Sequence, residues 1–128
     1  MTEIAGMAEM LARPMSPRPH YGPSAMTTIA RIWTGTVQRA DAHEYADYIR
    51  DTGFAEYGRT AGNRGAWMLR RDDGEQTEFI TLSMWESRDA IRAFAGDDIE
   101  AAVLYPEDER YLVEGSSGIT HYEVVDQV

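Results

Sequence analysis

A chain of 128 residues carrying a formal charge of −10 has room for one compact domain with a buried core. It contains no cysteine, and all twelve basic residues are arginine, which excludes thiol nucleophiles, thiolate metal sites, disulfides, lysine Schiff bases and a P-loop lysine. The acidic residues are spread along the chain, so they read as a solubilising surface that disfavours nucleic acid and anionic membranes as partners.

The elements follow in chain order. Residues 1–26 hold four of the five prolines and are expected to form a Pro-rich N-terminal arm outside a domain spanning 27–128. They lack the charged-then-apolar pattern of a signal peptide, and no apolar run approaches the roughly 20 residues of a membrane span, so the expected location is cytoplasmic. Thr28–Val37 alternates as a strand, with Ile29, Arg31 and Trp33 on one face and Ala30, Ile32 and Thr34 on the other. Asp41 and Glu44 resemble a capping box. Tyr45, Tyr48, Ile49 and Thr52 then recur at helical spacing, and Gly53 is suited to end the helix.

Phe54–Arg64 is a glycine-punctuated loop, and the glycine-rich run Gly58–Gly65 is suited to a pocket rim or lid. Gly65–Arg71 and Gln76–Trp85 are strands joined by the turn Asp72-Asp73-Gly74-Glu75. Ser87 is a good N-cap for a helix that places Ala90, Ile91, Phe94 and Ala95 on one face and ends at Gly96. A short helix over Asp98–Leu104, a helical turn at Pro106–Glu109 and a last strand at Gly118–Val125 complete the chain. The order predicts an α+β, ferredoxin-like βαββαβ fold: a four-stranded antiparallel sheet with both helices on one face. The uncovered face would leave apolar surface in water, which predicts a homodimer.

Several residues combine chemistry with placement. Thr81, Ser83 and Trp85 share one face of an apolar strand, which suggests a cavity there; Trp85 alternatively anchors the core. Arg31 would need either an acidic side chain or an acidic or phenolic ligand beside it, and Trp33 is a wall or core residue. His121, between Ile119 and Glu123 on one strand face, either relays a proton or is a hydrogen-bonded structural residue. Tyr57, Asn63 and Tyr105 are secondary pocket candidates. The three histidines are scattered without ligand spacing, so no metal is expected, and no Gly-x-Gly-x-x-Gly loop is present for a dinucleotide.

The stretch Ile80–Ile99, a strand ending in Trp85 followed by a Ser-capped helix, resembles the antibiotic biosynthesis monooxygenase (ABM) family of small dimeric ferredoxin-like proteins. The resemblance implies a dimeric α/β barrel and a pocket beside Trp85. It further implies oxidation of an anthrone- or quinol-like aromatic by dioxygen with no cofactor. Trp33 and Trp85 would hold the hydrophobic ring system, and Arg31 or His121 would stabilise its anion. A haem-degrading branch of similar fold uses a histidine after the second long helix and an asparagine in the first strand. Those positions fall near Leu104 and at Trp33 here, so haem is disfavoured, with Tyr105 as the remaining axial-ligand candidate. A non-catalytic dimeric module binding a small ligand, and an isomerase or cyclase, are the alternatives.

Overall fold

A computed structural model describes residues 27–128, so the proline-rich arm at 1–26 lies outside the described residues. Four strands, β1 (Ile29–Gln38), β2 (Asn63–Asp73), β3 (Gln76–Trp85) and β4 (Gly118–Glu123), form one sheet in the order β2-β3-β1-β4. Every neighbouring pair is antiparallel. The helices are α1 (Ala42–Ile49), α2 (Ala55–Arg59), α3 (Arg88–Ala95) and α4 (Asp108–Tyr111). The ferredoxin-like arrangement expected from the alternation of patterns is the one observed. None of the described helices is long and apolar enough to cross a membrane.

The two-residue period assigns each sheet face. Ile29, Arg31, Trp33 and Val37 of β1 share the helix-covered face with Phe79, Thr81, Ser83 and Trp85 of β3. One apolar cluster joins Trp33, Val37 and Phe79 to Tyr45 and Ile49 of α1 and Tyr111 of α4. A second joins Ile29 and Trp85 to Tyr57, Ile91 and Ile99. The opposite face carries Ile32, Ile80, Leu82 and Met84, flanked by Trp67 and Leu69 of β2 and Tyr122 of β4, which are 50%, 48% and 55% exposed.

Local signals around α3 act as expected. The Ser87 hydroxyl accepts from the Ala90 N–H at 3.1 Å, and Gly96 ends the helix at φ 88°. Gly74 at φ 62° turns β2 into β3. Gly35 lies under the Trp33 indole, where a Cβ would come within 2.5 Å of the ring.

Three expectations fail, each for a physical reason. Asp41 makes no side-chain cap, because a 3-10 turn over Arg39–Asp41 already gives it helical dihedrals (φ −95°, ψ −3°). Gly53 does not end the first helix. The chain passes through a π segment, Arg50–Phe54, into α2, so the expected loop is helical as far as Arg59. Phe54 and Tyr57 hold it there by ring contact at 6.1 Å, and Tyr57 also packs against Trp85 at 6.0 Å. Asp98–Leu104 is a turn and extended chain rather than a helix. Its Ile99 and Ala101 carbonyls accept from the Arg31 guanidinium, a partner 68 and 70 residues away.

Candidate functional site

The hollow between the sheet and its helices is lined by residues from eight places. Arg31 and Trp33 come from β1, Thr81 from β3, Tyr45 and Ile49 from α1, Thr52 to Phe54 from the π segment, and Val103, Tyr105 and Asp108 from the chain before and into α4; Tyr57, Phe94 and Ile119 complete it. Its water-accessible volume is about 40 Å³, room for a few water molecules at roughly 10–15 Å³ each. Counted with its open mouth, and so with solvent outside it, the hollow is about 410 Å³, while the clear space is well short of the roughly 300–1,000 Å³ of small-molecule pockets. A π segment in one wall is a recurrent feature of functional sites.

Arg31 is the charged centre of the wall. It is 1% exposed, yet it has no carboxylate partner among the described residues. Nη1 donates to the Ile99 carbonyl at 2.6 Å and to His121 Nε2 at 3.0 Å, and Nη2 donates to the Ala101 carbonyl at 3.3 Å. Nε is buried with no partner. Phe94 lies 5.8 Å from the guanidinium. Burial pulls the Arg31 pKa below its ordinary value, offset by Tyr57 and Glu100, but a guanidinium remains a cation.

His121 stands behind Arg31 rather than in the hollow. A guanidinium only donates, so Nε2 is the acceptor and the ring proton sits on Nδ1, 3.3 Å from Glu100 Oε2. Burial first, and then the Arg31 charge, lower the His121 pKa; Glu100 partly restores it. The imidazole is therefore neutral at physiological pH, with its lone pair already engaged.

The hollow is also lined by a hydrogen-bonded pair, Tyr45 and Asp108, that local sequence patterns did not single out. Asp108 is nearly fully buried; its Oδ1 accepts from the Tyr45 hydroxyl and its Oδ2 from the Tyr105 N–H, both at 2.6 Å. Burial and then this hydrogen bond to Asp108 push the Tyr45 pKa well above the usual tyrosine range, so the hydroxyl remains a donor.

Of the sequence candidates, Arg31, Trp33, Tyr57, Thr81 and Tyr105 line the hollow. Trp85, Ser83, Asn63 and His121 do not. Trp85 is fully buried as a core anchor, its Nε1–H donating to Ser83 Oγ at 2.9 Å, and Ser83 in turn faces the Arg31 carbonyl at 3.4 Å. Thr81 meets the Tyr57 hydroxyl at 2.9 Å, and the Trp33 indole donates to Ser117 at 3.0 Å. Asn63 turns its amide to the Met84 carbonyl and the Gly65 N–H, at the bulge that opens β2. The signal for Asp108 was present only as an acid in a Pro-led turn, which reads as surface.

Comparison with known proteins bears on the fold. No family model matches the chain, and no curated protein sequence matches it. Among solved structures, an antibiotic biosynthesis monooxygenase candidate from Caulobacter crescentus superposes with a TM-score of 0.61 at 19% identity, covering 80% of this chain and 93% of that one. A protein of unknown function from Nitrosomonas europaea gives 0.60 at 15% identity over 82% and 96%. A heme-degrading protein from Mycobacterium tuberculosis gives 0.56 at 22% identity over 80% and 96%. Among the described residues no histidine or cysteine lines the hollow, while Tyr105, the axial-ligand candidate read from the sequence, does line it. By the course of its sheet and these superpositions, the chain has the ferredoxin-like α+β fold found in antibiotic biosynthesis monooxygenase proteins.

Proposed function

We propose that this protein is a cofactor-independent monooxygenase that oxidises an electron-rich aromatic, anthrone- or quinol-like, with dioxygen. The observation that carries the reading is a buried guanidinium, without a carboxylate partner among the described residues, on the wall of a hollow lined by aromatic rings. A buried unpaired cation lowers the free energy of an anion placed beside it, and a low-polarity wall strengthens that attraction. Such a pocket favours the enolate or phenolate form of its ligand, which is electron-rich enough to reduce dioxygen directly. For a ring methylene, uptake of one dioxygen converts CH2 to C=O and releases one water. The protein supplies orientation, exclusion of water and charge stabilisation. With about 40 Å³ clear, a ring must move lining side chains to be seated.

The apolar open face, with Trp67, Leu69 and Tyr122 half exposed, supports a homodimer formed sheet to sheet. A second reading, a non-catalytic dimeric module for a small ligand, is favoured by how little of the hollow is clear in this conformation.

Oxygen uptake with anthrone or a hydroquinone, in metal-free protein shown to be folded, tests the choice. Uptake by the natural protein that falls at least about 100-fold in Arg31→Met supports the oxygenase, since one charge-stabilising donor is worth roughly 10²–10³ in rate. Binding with no uptake from any such substrate refutes it and leaves the binding module.

A further inference from the structure

Once Arg31 is taken as the anion's partner, the hollow needs a group to accept the proton that the ligand gives up. His121 cannot be that group: it lies outside the lining, its Nε2 lone pair is held by Arg31, and its Nδ1 proton faces Glu100. Tyr57 and Thr81 are hydroxyls already bonded to each other. Among the described residues on the wall, Asp108 is the carboxylate, an acceptor with capacity to spare. A carboxylate offers about four lone-pair positions, and here only two are used, one on each oxygen.

We infer that Asp108 is the catalytic base of this pocket, acting on an aromatic whose acidic hydrogen and carbonyl oxygen lie on opposite sides of one ring. The inference rests on the proposed aromatic substrate and deepens it. Arg31 and Asp108 both line the hollow and are anchored in different parts of the core. Arg31 packs against Phe94 and the Ile99 carbonyl, in the Trp85 half of the core; Asp108 is bonded to Tyr45, in the Val37 half, with Trp33 between them along β1. A ligand deprotonated at one end and stabilised as an oxyanion at the other matches that polarity. In the step, the ring C–H bond breaks and its proton goes to an Asp108 oxygen. The electron pair moves through the ring to the carbonyl oxygen, which becomes an enolate beside Arg31. No oxidant is required for this step. Tyr45 is a positioning residue, its hydroxyl holding Oδ1 at 2.6 Å while the Tyr105 N–H holds Oδ2.

Anaerobic exchange of the anthrone methylene hydrogens with deuterium, followed by NMR or mass spectrometry above the buffer rate, tests the base separately from oxygen chemistry. Anthrone binding is read in parallel from tryptophan fluorescence, and folding from thermal melts. The natural protein is expected to catalyse exchange. Asp108→Asn, whose amide oxygen can accept from the Tyr105 N–H while its NH2 donates to the Tyr45 oxygen, is expected to bind anthrone within about threefold of the natural protein and to lose exchange about 100-fold or more. Tyr45→Phe retains the carboxylate and is expected to keep exchange within about tenfold. Exchange undiminished in Asp108→Asn overturns the assignment, as does loss in Tyr45→Phe equal to that in Asp108→Asn, or no exchange by the natural protein. Asp108-dependent exchange without aerobic oxygen uptake sustains the base and removes the oxygenase. Oxygen uptake indifferent to Asp108 does the reverse.

Discussion

Replacing Tyr45 by Phe isolates one hydroxyl in an otherwise intact core. The ring sits 5.6 Å from Phe79 and 5.1 Å from Tyr111, contacts that phenylalanine reproduces, so apolar packing is conserved. What disappears is the donor to Asp108 Oδ1 at 2.6 Å, leaving a nearly buried carboxylate with the Tyr105 N–H alone. A hydrogen bond to a charged group contributes about 1.5–3 kcal/mol, so a loss of about 2 kcal/mol is expected. In a domain of about 100 residues this lowers Tm by roughly 8–16 °C. The same substitution has a pH signature. Burial, then Asp108, hold the Tyr45 hydroxyl above its ordinary pKa of 10.0. Below pH 10 neither state is ionised at this position, and the full contribution is present. Above it the unfolded chain alone gives up the proton, and stability falls by about 1.4 kcal/mol per pH unit for this one group. The natural protein and Tyr45→Phe should therefore differ by about 2 kcal/mol at neutral pH and converge roughly 1.5 units above pH 10. Urea unfolding at fixed temperature across pH 7 to 11.5 measures both limbs. A difference under about 0.5 kcal/mol at pH 7, or curves that run parallel through pH 11, refutes the reasoning.

Other perturbations probe separate features. Ser87→Ala removes the acceptor for the Ala90 N–H and should cost about 1 kcal/mol, read as a Tm roughly 4–8 °C lower. His121 has its pKa lowered by burial and Arg31, so the unfolded chain binds its proton first as pH falls below 6.5; stability should decline below that pH, and His121→Gln should flatten the decline in urea midpoints. Trp67→Glu places a charge on the open sheet face and should convert the proposed sheet-to-sheet dimer to a monomer in sedimentation, without loss of folded signal.

How far the fold can be read from the chain depends on whether each determinant is local. The β3–α3 segment is legible because alternation, the Ser87 cap and Gly96 all lie within one short stretch. The continuation past Gly53 is not, because a glycine says nothing about the Phe54 and Tyr57 rings that carry the helix onward by packing on Trp85 and Phe94. Residues 98–104 read as a helix locally, but their carbonyls are claimed by an arginine on another strand. At the site, Arg31 stood out because a charged residue sits on an apolar strand face. Asp108 did not, since its side-chain partner Tyr45 lies 63 residues away. Trp85 was conspicuous for its size, and size is what makes it core.

The hold of Arg31 on Ile99 and Ala101 ties the occupant of the hollow to a stretch of main chain with no internal ladder of its own. An anion that draws the guanidinium inward competes with those two carbonyls, and by reciprocity whatever fixes that stretch also tunes the grip on the anion. Amide exchange at residues 99–105 is thus a remote reporter of occupancy. It would register a bound guest without any label on the guest itself.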